Sequence, residues 1–314
     1  MQTRQANRCT LGPRKWKTRP FRAPLDSIGR KLNLPEGSSS RRYALWPSLA
    51  RHLEVGIWRS YERVLTMDET SEKPYSGGNR VLDALPQSDR AKIARHIRVI
   101  RFASGDVAQQ PEGANTFIDF PIDAVLSIVT TMLDGSACEV GTIGNEGASG
   151  VEVAFGATLL RTTICQVEGD IARIDRVHFL AALGENRQFE RLIGRVAQAQ
   201  RFFVEQQCAC NAVHSVDERC ARWLMMIHQR VRRDTFSLTH DFLSVMLGVR
   251  RATVSGAAMK LQDAGIITYQ RGSVKVLSAR RLASACCECY DATRNVFDSS
   301  LLTTDKPLTE AVAS

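Results

Sequence analysis

The stretch that decides the fold is "LGVRRATVSGAAMKLQDAGIITYQRGSVKV", Leu247 to Val276. At about 100° per residue, Val254, Ala257, Leu261 and Ala264 fall on one side of a helix, and Ala252, Ser255, Gly256, Met259 and Asp263 on the other. The first side is a core face. The second carries mostly small side chains, and Arg250 and Arg251 stand at its start. Gly248 permits a tight turn before this helix, which we expect over Arg250–Ala264 with Gly265 as its stop. Beyond it, "IITYQ" and "SVKVL" flank Arg271-Gly272, the pattern of a hairpin with a basic tip.

Upstream, Thr239 caps a short helix, Asp241 suits its positive end, and Phe242, Leu243 and Met246 give it an apolar face. Helix, turn, helix and hairpin make a winged helix-turn-helix, whose second helix enters the DNA major groove by its N-terminal end. Arg250, Arg251 and Thr253 then meet phosphates and base edges first, and the small residues let the backbone seat closely. The expected DNA-binding set is Thr239, Arg250, Arg251, Thr253, Ser255, Gly256 and Arg271. A capped helix pair with a glycine turn also occurs in enzymes, so the charge around it matters.

The 314 residues carry a formal net charge of +9, but its distribution is uneven. Residues 1–66 hold 14 Lys+Arg against Asp26, Glu36, Glu54 and Glu62, and the rest of the chain is near neutral. Within that rest, residues 219–281 hold 12 Lys+Arg against Asp234, Asp241 and Asp263. The local excess surrounds the opening stretch and favours a double-stranded DNA partner.

Working outward, "HIRVIRF", "VLSIVTTML", "SACEVGTIG", "TTICQVEG" and "DIARI" are strand-like and separated by turn residues such as Asp134-Gly135. A short helix around Ser88 to His96 precedes them. Closely spaced strands predict a small antiparallel roll. From Glu185 to Val213 the pattern becomes helical: Phe189, Leu192, Val196, Ala199, Phe203, Gln206 and Cys210 alternate spacings of three and four. This seam is read as a homodimer interface, the alternative being a helix packed on its own roll. Ser215-Val216-Asp217-Glu218 is a capping box that opens a second domain.

Residues 1–66 contain Pro13, Pro20, Pro24, Pro35, Pro47 and "GSSSRR" and read as a disordered arm, with Met67 an alternative start. No apolar run approaches the roughly 18 residues of a membrane span, and a secretory apolar core is lacking, so a cytoplasmic protein with reduced thiols is expected. The nine cysteines follow no metal-site spacing; "CCECY" (Cys286, Cys287, Cys289) has no second CxxC or HxxxH to complete a zinc site, and no metal or cofactor is expected. Neither GxSxG nor GxGxxG is present and the six histidines are scattered, so an enzyme is not expected. The competing reading is a cytosolic small-molecule or redox sensor without specific DNA binding.

The stretches "VGTIGNEGASGVEVAFG", "HSVDERCARWLMMIHQRV", "LTHDFLSVMLGVRRATVS", "LQDAGIITYQRGSVKVL" and "CCECY", in that order, resemble the Crp/Fnr family of bacterial transcription regulators, in particular a subgroup of soil and plant-associated proteobacteria. The resemblance covers about Asn79 to Tyr290. It implies an α+β chain: a basic extension (1–78), a cyclic-nucleotide-binding-like jelly-roll sensor (79–184), a dimerisation helix (185–213), a winged helix-turn-helix (214–290) and a flexible tail (291–314). It also implies a homodimer that contacts RNA polymerase and an effector of unknown identity. The family's recognition-helix arginine and threonine match Arg251 and Thr253, while Ala252 and Gly256 replace its glutamate and second arginine; Ala252 cannot accept from a cytosine amino group. In the sensor, Glu152, Arg161 and Thr162 stand where cyclic-nucleotide binders hold ribose and phosphate, but Val151 replaces a glycine. An ion pair between Glu152 and Arg161 is the preferred reading.

Overall fold

The structure, a computed structural model, describes residues 73–110, 116–132, 137–157 and 161–302. The expected disordered arm (1–66) and the rest of the extension up to residue 72, the Asp134-Gly135 turn and the tail from 303 lie outside the described residues. A two-residue strand β1 (Lys73–Pro74) leads to α1 (Arg80–Asp83), capped by Asn79, whose side-chain oxygen accepts from the amides of Val81 and Leu82. The described residues thus include a strand ahead of the expected boundary at 79. Helix α2 (Gln87–Ala94) follows.

The roll is built from β2 (Ile97–Phe102), β3 (Val107–Gln109), β4 (Phe117–Pro121), β5 (Val125–Thr131), β6 (Ala137–Ile143), β7 (Thr162–Val167) and β8 (Gly169–Asp175), with a 3-10 turn at Val151–Phe155. In β2, Arg98 and Arg101 are exposed while the other four side chains are buried, which marks a sheet with one wet face. Two antiparallel sheets, ordered β1-β2-β8-β4 and β3-β7-β5-β6, meet over Ile100, Phe102, Leu126, Ile128, Ile143 and Ile171. Across the first sheet Arg173 donates from Nε and a terminal nitrogen to Asp119 at 2.6 and 3.0 Å, both groups buried. Gly169 must lack a side chain, because a Cβ there would lie 2.4 Å from the Ala124 amide nitrogen. The five expected strands are present; β3 and β4 were not anticipated.

After α3 (Arg176–Glu185), Asn186 caps the 27-residue α4 (Arg187–Val213), about 40 Å long. Its apolar face, expected as a dimer seam, is occupied within the chain. Phe189, Leu192, Val196, Ala199, Phe203 and Cys210 are all buried within their own chain: the first three in the roll's core, Ala199 and Phe203 in the C-terminal core, and Cys210 against Cys287 and Cys289. Gln206 is half-buried. A face already filled has none of that apolar area left for a second copy.

The capping box forms as expected: Ser215 Oγ receives the Glu218 amide, and the Glu218 carboxylate receives the Ser215 amide at 2.9 Å. It starts α5 (Val216–Val231). Then come β9 (Thr235–Ser237), α6 (His240–Leu247), α7 (Arg251–Asp263), β10 (Ile267–Gln270), β11 (Ser273–Val276), α8 (Ala279–Ser284) and α9 (Cys289–Leu301). The three strands form the sheet β10-β11-β9. Helix α9 takes up residues 291–301 of the expected flexible tail. Phe297 packs on Phe203 with ring centroids 6.4 Å apart, Arg195 donates to the Ser300 carbonyl at 2.9 Å, and Leu301 joins the roll's core.

The two domains meet through buried polar contacts. Trp223 Nε1 on α5 donates to Glu139 on β6 at 3.1 Å, and Arg230 pairs with Glu146 at 2.6 Å. Burial pushes the Glu139 carboxyl from 4.5 up to about 7, against the opposing pull of Ser127, Trp223 and nearby arginines. The local geometry agrees: Ser127 Oγ lies 2.6 Å from both Glu139 and Gln166 Oε1 and has one proton to give. A neutral carboxyl supplies the second.

Candidate nucleic-acid interface

Helix α6 begins at Thr239, whose hydroxyl accepts from the Phe242 amide at 3.2 Å, and ends at Gly248 with φ of 62°. The turn is held from beneath by Arg219, which donates to the Leu247 carbonyl. It rests on β6, where a Cβ on Gly248 would lie 3.5 Å from Cys138 Sγ. This fixes where α7 begins. Val254, Ala257, Ala258 and Leu261 are its buried face. Ala264 was expected on that face; it lies beyond the last turn as the C-cap and is exposed.

Arg250 is the N-cap of α7 in extended geometry and makes no side-chain cap bond. The first amides of a 13-residue helix are therefore left without a side-chain cap, an arrangement that attracts phosphate. Arg250, Arg251, Ala252 and Thr253 are all exposed, so the cationic groups and the helix dipole act in one place. Gly256 sits one turn further along, and a Cβ there would meet nothing within 4 Å. Packing within the chain does not require that glycine.

Ser255 behaves differently from its neighbours. Its half-buried hydroxyl lies 3.0 Å from His240 Nδ1 and 3.1 Å from the Arg251 carbonyl, bridging α6 and α7. His240 stacks on Tyr269, centroids 4.2 Å apart, and Tyr269 donates to the Leu238 carbonyl at 2.6 Å. Sequence reasoning missed this chain of contacts, which ties the wing to both helices; a histidine and a tyrosine 29 positions apart leave no local signal. At the wing tip Gln270 pairs with Ser273, so Arg271 and Gly272 are a two-residue turn. Both have positive φ, 50° and 76°, as a type I′ hairpin requires.

The cationic patch is smaller than the sequence implies. Arg219, Arg222 and Arg230 are buried on α5, so three of the twelve basic residues in 219–281 are structural. In the sensor, Glu152 and Arg161 form an ion pair, and burial lowers the arginine's pKa. Thr162 is buried at the start of β7. The contact engages one carboxylate oxygen of Glu152, and the other, Oε2, is buried without a hydrogen-bond partner. Cys210, His214, Cys287 and Cys289 are brought together by the fold, which no single sequence motif announced, whereas Cys286 donates to the Leu282 carbonyl instead.

Residues 218–285 match the family model described as a Crp-like helix-turn-helix domain. A search of curated proteins gives no match. Among solved structures, FixK2 from Bradyrhizobium japonicum aligns at 14% identity over 61% of this chain and 98% of its own, with a TM-score of 0.52. A putative regulator of the Crp/Fnr family from Eubacterium rectale aligns at 13% identity over 65% and 96%, TM-score 0.51. A CRP-family regulator from Thermus thermophilus aligns at 16% over 59% and 95%, TM-score 0.50. At such identities the likeness is one of fold: an antiparallel roll, a long helix and a C-terminal winged helix-turn-helix. Among the described residues no helix is long and apolar enough to cross a membrane.

Proposed function

We propose that the chain is a sequence-specific DNA-binding transcription regulator of Crp/Fnr type. The observation that carries this reading is the exposed, uncapped start of α7, where Arg250, Arg251 and Thr253 project from a helix whose opposite face is core. Arg251 reads a guanine through O6 and N7, and Arg250 meets phosphate. Gly256 lets the groove wall approach the helix backbone, and Arg271 anchors the wing on the flanking phosphates. Thr239 caps α6 and offers its exposed edge to the same backbone.

In this reading two copies bind a pseudo-palindrome whose half-sites lie roughly 34 Å apart. Because the apolar face of α4 is filled by its own chain, the second copy meets the outer face, where Arg187, Arg191, Gln198, Arg201 and Glu205 are exposed. RNA polymerase is the further partner, and the roll senses an effector; an anionic ligand at Arg161 must first displace Glu152.

Selection of bound sequences from random duplex DNA, followed by affinities for every single-base variant at two salt concentrations, tests the reading. Arg251→Ala should flatten preference at one base pair per half-site and cost about 1–3 kcal/mol per lost bidentate contact. Arg250→Ala should weaken all sequences alike and shallow the salt slope by about one unit per subunit. Identical, sequence-independent losses for both would refute Arg251 as the base reader, and failure to enrich any sequence would refute the function.

A further inference from the structure

Four side chains converge where α4 ends and α9 begins. Cys210 is on the last turn of α4, His214 is its C-cap, Cys287 lies between α8 and α9, and Cys289 is the first residue of α9. Their ligand atoms all lie within 4.8 Å of one another. Cys210 Sγ is 3.6 Å from Cys287 Sγ, and Cys289 Sγ is 3.6 Å from His214 Nδ1. A tetrahedral ion with metal–sulfur bonds of about 2.3 Å and a metal–nitrogen bond of about 2.0 Å separates its ligands by about 3.5–3.8 Å. A disulfide would need about 2.05 Å between sulfurs, and a multi-iron cluster holds its thiolates further apart than a single ion does.

Three neighbours point the same way. His214 Nε2 lies 3.1 Å from the Glu288 carboxylate, an acceptor that favours the tautomer with its proton on Nε2 and the Nδ1 lone pair towards Cys289. Metal-bound imidazoles are oriented by such a carboxylate. Gln206 Nε2 donates to Cys289 Sγ at 3.1 Å, a contact that favours a thiolate acceptor. Arg222, 2% exposed, hydrogen-bonds to Gln207 and Met226 but makes no ion pair among the described residues. A buried guanidinium that makes no ion pair calls for an anion nearby.

We propose that Cys210, His214, Cys287 and Cys289 bind one Zn2+ ion in a closed tetrahedral site of three sulfurs and one nitrogen. On binding, three Sγ–H protons pass to solvent and three zinc–sulfur bonds and one zinc–nitrogen bond form, with no change of oxidation state. Three thiolates and one dication sum to −1, which the Arg222 guanidinium balances. Four protein ligands leave no position for substrate, so the ion is structural. It staples α9 across the α4–α5 junction and thereby fixes how the DNA-binding domain leaves the long helix. This inference is independent of the DNA reading.

The test is metal analysis of the full chain purified without a histidine tag. One zinc per chain is expected, retained through gel filtration. Cys289→Ser and Cys287→Ser should drop it to near zero, whereas Cys208→Ser, an exposed thiol on the same helix, should leave it intact. Cobalt(II) added to the chelator-treated wild-type chain should give the ligand-field and sulfur-to-metal bands of a tetrahedral thiolate site, a readout that needs no variant. A folded chain with substoichiometric zinc and no cobalt–thiolate bands would overturn the proposal. So would a Cys210–Cys287 disulfide in the purified protein, or iron with inorganic sulfide in place of zinc.

Discussion

Replacing Glu139 by glutamine should change how the protein's stability responds to pH. Glu139 is buried between Ser127 of the roll and Trp223 of α5, and its carboxyl rises from 4.5 to about 7 on folding because burial disfavours its charge. The folded state therefore binds more protons than the unfolded state between these values, so stability falls as pH rises through that window and is level above it. At ~1.4 kcal/mol per pH unit, the full loss is about 3 kcal/mol. Glutamine keeps the size and an acceptor for Trp223 but has no proton to lose. Urea unfolding of both proteins from pH 5 to pH 9 measures the difference directly. The glutamine variant should gain on the wild type by about 2–3 kcal/mol between pH 5 and pH 8. A difference that stays constant with pH would show that Glu139 does not titrate in this range and that its hydrogen bonds outweigh its burial.

Gly256→Ala should stabilise α7 by about 1 kcal/mol, since a Cβ there meets nothing, yet weaken operator binding; unchanged binding in a gel-shift titration would remove this face from the groove. Arg271→Gly should relieve roughly 1 kcal/mol of left-handed strain and lower affinity for all duplexes alike; a loss confined to one sequence would show base reading by the wing. Phe203→Asp should destabilise the chain by roughly 3–5 kcal/mol, because it places a charge in a filled core. Sedimentation showing a stably folded monomer would return Phe203 to a subunit interface.

The winged helix-turn-helix was legible because each boundary carries its own chemistry. Thr239, the Ser215–Glu218 box and Gly248 act through backbone groups within a few residues, so short windows suffice. Strand β2 was legible for the same reason, its two exposed arginines setting a phase. Strand β4 was not: "FIDFP" is buried almost throughout, and a strand covered on both faces has no alternation to read. The α4 seam shows another limit. Apolar residues at spacings of three and four specify a buried face but not what buries it, and here the roll and α9 cover it within the chain. Cys210 and Cys287 stand 77 positions apart, so only the folded chain makes them neighbours. Net charge misled in the same way, since it counts Arg219, Arg222 and Arg230 without knowing that they point inward.

The return of α9 to the roll has a consequence for the chain as it is being made. Leu301 shares an apolar cluster with Phe120, Phe179 and Val196, and Asp298 pairs with Arg80 at 2.6 Å, so the roll is completed by residues synthesised well after it. At a translation rate of about 5–20 residues per second, the nascent roll waits on the order of ten seconds for that helix to leave the ribosome. During this interval the second domain must take shape beside a first domain whose apolar surface is still open. A chain stopped shortly before Cys289 would stay in that state, and its fate would rest with chaperones and proteases.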